Sequence, residues 1–283
     1  MRNKIFLCSF GSNDLNLSKK RFLNQAKKFY NFENIRIYSL KDLTKNFNSV
    51  IKKNLSNENR AYGYGIWKPY IVLDFFDKIP KNSILQYADI GCHFNYKGNN
   101  KFIKYIERVK KYDSLTFEYD GKFKTKDKKL KFQHYYEYEY SKFDLFKFLK
   151  VVKNKKITNT PQIWSGSFFL KKNIKNRKFL IEWLETMKHN SLIDNSPSTK
   201  KENIGFVESR WDQSAFSILS KKYSFQKISA SECEWAEDGI SRRWDHLINY
   251  PLLAKRDLKR NFLSRFINRQ KRNIRRRFNN LRK

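Results

Sequence analysis

The sequence predicts an α/β fold, a mostly parallel central sheet flanked by helices and followed by a basic helical tail. Three observations predict it. The chain opens on a strand, helix, strand pattern. A later strand ends in a carboxylate just downstream of a Trp-Lys-Pro segment. The last stretch sets apolar residues at helical spacing among many Lys and Arg.

In order, Lys4 to Ser9 (KIFLCS) reads as a buried strand and Phe10-Gly11-Ser12-Asn13 as a turn. Leu17, Phe22, Ala26, Phe29 and Tyr30 fall close to a helical period, and Ile35 to Ser39 (IRIYS) is a second strand. This is a βαβ unit, so a parallel sheet follows. Ligands of such sheets sit at the carboxyl ends of the strands, which makes Phe10, Gly11 and Ser12 candidate nucleotide contacts. In GYGIWKP, Gly63 and Gly65 allow a tight backbone, and Pro69 suits the first turn of a helix running through Ile71, Val72, Phe75 and Phe76. Lys68, before the proline, is expected to be extended. Ser83 to Asp89 (SILQYAD) is a strand ending at Asp89-Ile90-Gly91-Cys92.

Lys101 to Lys111 then reads as a helix and Lys122 to Lys131 as a charged loop or exposed hairpin. Ser141 to Val152 reads as a helix with Ser141 as N-cap. Trp164 to Leu170 (WSGSFFL) is a strand, and Arg177 to Lys188 a helix with Leu180, Trp183 and Leu184 inward. Ser191 to Glu202 is a polar loop and Ser209 to Lys221 a further helix; no internal repeat is visible.

The 283 residues suit one large domain or a domain with a small appendage, and 40% hydrophobic and 17% aromatic content argues against disorder over most of the length. The formal charge of +34 calls for an anionic partner: nucleic acid, anionic lipid or a phosphorylated small molecule. A general richness in Lys and Asn accounts for part of it. The tail, Lys255 to Lys283, holds 13 Lys or Arg against one acid, Asp257, for a net +12. Its apolar residues Leu258, Phe262, Phe266, Ile267, Ile274, Phe278 and Leu281 make it a basic amphipathic segment for an anionic membrane surface; the alternative is a solvated, disordered terminus. Cys8, Cys92 and Cys233 show neither disulfide nor zinc spacing. No run approaches the roughly 20 apolar residues of a membrane span. The expected location is the cytoplasm, peripherally on the inner face of the membrane.

Four places could carry chemistry. Asp89, closing a strand, could bind a metal or a ribose, or simply form a turn. Glu208 and Asp212 are four apart, so on a helix they share a face; Asp212 borders the apolar set Trp211, Ala215, Phe216 and Leu219, and partial burial suits a general base. The alternative is a capping or ion-paired group with Arg210. In TPQIWSGS, Gln162 and Trp164 could hold a sugar and Gly166 admit it to the backbone; the alternative is a strand with a bulge. Arg242 and Arg243 are candidates for phosphate, and His246 for a late metal ligand or an ordinary surface histidine. P-loop, dinucleotide and Ser-His-Asp signatures are absent from the sequence.

At these residues the chain resembles the glycosyltransferases of bacterial capsule and lipopolysaccharide clusters. The resemblance lies in GYGIWKP, QYADIGCHFN, Glu139 to Phe146 (EYSKFDLF), TPQIWSGSFFLKKN, SLIDN, ESRWDQSAFSIL and PLLAKRD, in that order over roughly residues 5 to 257. It implies a GT-A-like, Rossmann-type fold, with residues 1–100 holding a nucleotide-sugar donor and 101–254 forming the acceptor side of one catalytic domain, followed by the 255–283 tail. It implies transfer of a hexosyl or related sugar to a surface-glycan or lipid-linked saccharide acceptor. Asp89 matches the position that replaces the usual D-x-D metal motif, so a divalent cation (Mn²⁺ or Mg²⁺) is implied there. Asp212 and Gln213 match the family's D-Q pair near the sugar, and Gln162 and Gly166 its sugar or acceptor strand. Lys68 and the Phe10 to Ser12 turn would contact the nucleotide. Glu208-Ser209 and Trp211 depart from the commoner residues, and Gly91 leaves the Asp89 segment with one carboxylate. The rival classes are a basic nucleic-acid-binding protein, against which stands the lack of a recognition motif, and a non-catalytic glycan-binding protein.

Overall fold

Strand β1 (Ile5–Phe10) pairs parallel with β2 (Asn34–Tyr38) on one side and with β3 (Ile84–Ala88) on the other. The structure, a computed structural model, describes residues 4–44, 47 and 61–255. Next to β3 runs β6 (Ile163–Lys171), antiparallel to β3 and to β5 (Ser114–Glu118). β7 (Lys227–Ser229) closes the sheet parallel to β5, giving the order β2-β1-β3-β6-β5-β7. Since β6 alone is reversed, the carboxyl ends of the other five strands share one edge with the amino end of β6. A small ladder outside this sheet pairs β4 (His93–Phe94) with Leu252–Leu253.

The expected mostly parallel sheet flanked by helices is therefore present. Strands β1 and β3 are buried throughout, as near-continuous apolar runs covered on both faces should be. Side chains alternate between two cores. Phe6, Cys8 and Phe10 meet one, Ile5 and Leu7 the other. The first core lies under α2 (Trp67–Lys78), α4 (Ile174–Met187) and α5 (Asp212–Lys222); the second lies under α1 (Asn16–Phe29) and α3 (Asn99–Tyr112). In β6, Ile163 and Phe168 are five apart yet face the same core. Strict alternation would set them on opposite faces, so the strand carries an irregularity between them, and the β5–β6 register shifts there.

Several expectations need correction. Lys68 is not extended: it lies in the first turn of α2, ahead of Pro69, where the proline's missing N–H costs no helical bond. The helix expected from Ser141 shrinks to Phe143–Phe148, and Ser141 does not cap it, because its hydroxyl donates to the Glu137 carboxylate at 2.7 Å. The helix expected from Ser209 begins only at Asp212. Leu180 and Trp183 are buried and Leu184 is half-buried against the same core, as expected, and a helical turn, Asn190–Ile193, opens the polar loop. Strands β5 and β7 were not foreseen; β7 has three residues, too few for a pattern. The tail beyond residue 255 lies outside the described residues. Among the described residues no helix is long and apolar enough to cross a membrane.

Candidate active site

The carboxyl edge of the sheet gathers two acids around one lysine. β3 delivers Asp89, whose N–H donates to the Gly166 carbonyl at 2.7 Å across the gap to β6. The Tyr87 hydroxyl donates to Asp89 Oδ1 at 2.6 Å. From the first turn of α2, Lys68 places Nζ 2.6 Å from Asp212 Oδ2 and 3.4 Å from Asp89 Oδ1. The same ammonium reaches Ser165 Oγ at 3.3 Å and the Ser165 carbonyl at 3.4 Å. Ser165 Oγ donates to Asp212 Oδ2 at 2.8 Å. Lys68 and Asp212 are buried, whereas the Asp89 side chain is 41% exposed. The cluster is most open at Asp89 and nearly closed at Lys68 and Asp212.

The local sequence explains how Asp212 gets there. Trp211, just before it, holds φ 55° and ψ −121°, a conformation natural to glycine and strained by about 1–3 kcal/mol in a tryptophan. The Trp211 indole donates to Asn195 Oδ1 at 3.0 Å, which helps hold the strained turn. Gly65, at φ +78°, lies so close that a Cβ there would be 2.8 Å from Asp212 Cγ. The GYG before Trp-Lys-Pro thus leaves room for the carboxylate of α5 beside Lys68.

Burial works against both charges. Burial alone would lower the Lys68 pKa, but Asp212 and Asp89 outweigh it and hold the amine above its ordinary value, as a permanent ammonium. Burial also raises the Asp212 carboxyl above the usual range, an effect that Lys68 and Ser165 offset only in part. Burial and then the neighbouring Asp89 hold the Tyr87 phenol protonated, so it stays a donor.

A divalent cation does not fit between the two carboxylates, because that place is taken by an ammonium; the exposed edge of Asp89 is what is left to face one. Among the described residues no three His, Cys, Asp or Glu side chains are grouped to hold a metal. His246 does not join Asp89. Its Nε2 lies 3.2 and 3.1 Å from the carbonyl oxygens of Ser231 and Glu234, and its ring stands edge-on to Phe123 and Phe132. Burial lowers its pKa, against the pull of the two carbonyls.

The other sequence candidates divide. Phe10 reaches the edge, but its ring is buried, stacked 4.0 Å from Trp67. Gly11 donates its N–H to the Tyr38 carbonyl, with the Lys19 side chain lying over it, and Ser12 donates to Asp14. Gly91 sits in the turn closed by Cys92 N–H on the Asp89 carbonyl. Gln162 and Gln213 are close, but buried: Gln213 Nε2 donates to Gln162 Oε1 at 2.6 Å, and Gln162 Nε2 donates to the Glu137 carboxylate and the Tyr140 carbonyl at 3.3 Å. The Gln162 amide is engaged at both ends, and Gln213 Nε2 ties α5 to it. The close approach that Gly166 permits is that of the Trp164 indole, 2.2 Å from where a Cβ would stand, and not that of a ligand. Glu208 precedes α5, is exposed and does not share a helical face with Asp212. Arg210 pairs with neither acid; its guanidinium carbon lies 4.1 and 4.2 Å from the ring centres of Tyr135 and Tyr140. Arg242 stacks on Trp235 at 4.0 Å, and Arg243 is engaged by Asp238 and Asp245 in an exposed hairpin. Sequence reasoning missed Tyr87, Ser165 and Gly65. Only Gly65, in a GYG just before Trp-Lys-Pro, carried a signal.

No family model matches the chain, and no curated protein matches it. Solved structures do align with it. A glycosyltransferase involved in glycosylating the major capsid of PBCV-1 aligns at 10% identity, over 93% of this chain and 96% of that one, with a TM-score of 0.49. Mouse xyloside xylosyltransferase 1 aligns at 9% identity over 82% and 87%, TM-score 0.44. The galactosyltransferase LgtC, in complex with donor and acceptor sugar analogues, aligns at 9% identity over 88% and 86%, TM-score 0.42. The architecture described above stands on its own strand order and register.

Proposed function

We propose that this protein is a GT-A-like glycosyltransferase that moves a sugar from a nucleotide-diphosphate donor to a hydroxyl of a surface-glycan or lipid-linked saccharide acceptor. The observation that carries the reading is the Lys68–Asp89–Asp212 cluster on the carboxyl edge of a mostly parallel sheet, the edge where ligands of such sheets bind. The seven ordered segments of the sequence resemblance support the same class. The 1–100 half then holds the donor and the 101–254 half the acceptor.

The chemistry follows from the burial. In an inverting transfer, Asp212 accepts the acceptor's hydroxyl proton as that oxygen forms its bond to the sugar carbon. The bond from that carbon to the phosphate oxygen breaks, and the diphosphate leaves with the electron pair. A carboxylate raised by burial is a stronger base than one in water, which suits it to this step. Asp89, with its exposed edge, accepts hydrogen bonds from donor hydroxyls. Lys68 positions both acids and keeps two carboxylates from repelling each other. Asp89→Asn should abolish transfer with no change in far-UV circular dichroism, and full donor consumption by that variant would refute the assignment. A panel of nucleotide sugars, each tried with and without Mn²⁺, identifies the donor.

The tail belongs to the same reading. Thirteen basic residues, at about 1 kcal/mol each near an anionic surface, would keep the enzyme on the inner membrane face beside lipid-linked acceptors. Deleting Lys255 to Lys283 should move the protein from the membrane to the soluble fraction; an unchanged distribution refutes this part.

A further inference from the structure

Most of the cations drawn wholly or partly out of solvent have an acid. Lys68 has Asp212 at 2.6 Å, Lys142 has Asp194 at 3.1 Å and Lys221 has Glu137 at 2.6 Å. Arg210 has none: among the described residues no carboxylate oxygen comes within 4.0 Å of its guanidinium, and its Nε is buried with no hydrogen-bond partner. A half-buried charge with no acid beside it is costly. The tyrosine rings offset part of that cost. The centres of Tyr135 and Tyr140 are 5.0 Å apart, and each is about as far from the guanidinium carbon, so both rings lie to one side of it. They support the guanidinium from that side. The nearest acid in sequence, Glu208, is exposed and beyond ion-pair distance.

Arg210 also stands on the right rim. It is two residues ahead of Asp212. Tyr135 packs on Tyr119 at 4.9 Å, and Tyr119 follows the carboxyl end of β5 as Asp89 follows that of β3. The Tyr119 N–H donates to the Gln162 carbonyl at 2.8 Å, at the β6 end that carries Ser165. Lys68 cannot serve an anion here. Its ammonium has three N–H groups and already faces two carboxylates and both oxygens of Ser165.

We propose that Arg210 is the phosphate-binding residue of the site, presenting parallel N–H donors to the oxyanions of a diphosphate held beside Asp89 and Asp212. The identity of that anion as a donor's diphosphate rests on the glycosyl-transfer reading; the binding site does not. Guanidinium suits the task because its fork matches phosphate geometry and its charge compensates the leaving group as negative charge builds.

The test is calorimetric titration of the full chain with inorganic pyrophosphate, UDP, GDP and glucuronate, at two salt concentrations because the chain is strongly basic. The variants are Arg210→Met, Arg210→Lys and Lys128→Met, the last in an exposed loop. Arg210→Met should weaken pyrophosphate by about tenfold to a hundredfold, the loss of a charge-assisted pair. Arg210→Lys, which keeps the charge and loses the fork, should fall between, and it decides the matter if Arg210→Met fails to fold. Lys128→Met should bind like the parent. Equal affinity across the Arg210 variants, an equal loss in Lys128→Met, or glucuronate binding as well as pyrophosphate overturns the proposal. If pyrophosphate binding depends on Arg210 while no nucleotide sugar is consumed, the enzyme reading falls and the site stands. If a nucleotide sugar is consumed and Arg210→Lys leaves the donor KM unchanged, the site falls and the enzyme reading stands.

Discussion

Two buried lysine–carboxylate clusters flank α5, and they have opposite designs. At its start, Lys68 bridges Asp212 and Asp89, and the Asp89 side chain is 41% exposed. Near its end, Lys221 meets Glu137, which is wholly buried and also accepts from Ser141 and Ser217. Gln162 joins the second cluster through its amide. The chemistry is the same: an ammonium, a carboxylate and serine hydroxyls. The access differs. The sealed cluster ties α5, β6 and the Glu137–Tyr140 turn together, while the open one ends at the sheet edge where a ligand can reach it. Charge and burial alone would rank them equally, and only the open corner separates a site from a strut.

Substitution should split the pair. Asp212→Asn is expected to lower kcat by about a hundredfold to ten-thousandfold, the usual worth of a positioned acid or base, with the fold retained. Glu137→Gln should leave kcat within about twofold and cost about 3–5 kcal/mol in denaturant unfolding, since it strands Lys221 in the interior. A Glu137→Gln enzyme that is stable but inactive would reverse the assignment of the two clusters.

The pH dependence sharpens the comparison. Burial raises the Asp212 carboxyl, so the activity of the open cluster should fall, as pH drops, at a value above the usual carboxylate range. Lys68 opposes that rise, so Lys68→Met should move the acid limb still higher; a limb that stays put would show that Asp212 does not titrate in the reaction. The stability sign for Lys68 is the reverse. Its pKa is raised on folding, so its contribution is present below the ordinary lysine value and lost as pH climbs through the folded one.

The smallest expected effect concerns the backbone. Gly65→Ala places a Cβ 2.8 Å from Asp212 Cγ at a φ of +78°, so it should cost about 1–2 kcal/mol and reduce kcat more than donor KM. An alanine enzyme with the parent's kcat would mean that Asp212 has room to move without loss.

The α/β frame was readable because burial on a sheet leaves a pattern. IFLCSF, ILQYA and the β6 run are apolar on both faces, and α1 and α3 repeat their apolar residues at helical spacing. Asp89 and Asp212 were readable as acids at the ends of such patterns. Glu208 does not share a face with Asp212 because helical spacing does not hold across Trp211, whose positive φ breaks it. At Gln162, Trp164 and Gly166 the sequence leaves two readings open, because a glycine between polar and aromatic residues looks the same whether it admits a ligand or its own neighbour's indole.

By itself, the sequence determined the layered α/β architecture, the strand ends that carry carboxylates and the excess of positive charge, since each rests on local periodicity or on composition. The tertiary structure alone decided which charges meet. Lys68, Asp89, Ser165 and Asp212 come from four separate elements, and ion pairing falls off over a few ångströms, a distance unrelated to separation along the chain. The same dependence on distance left Arg210, among so many basic residues, half-buried on two tyrosines without an acid.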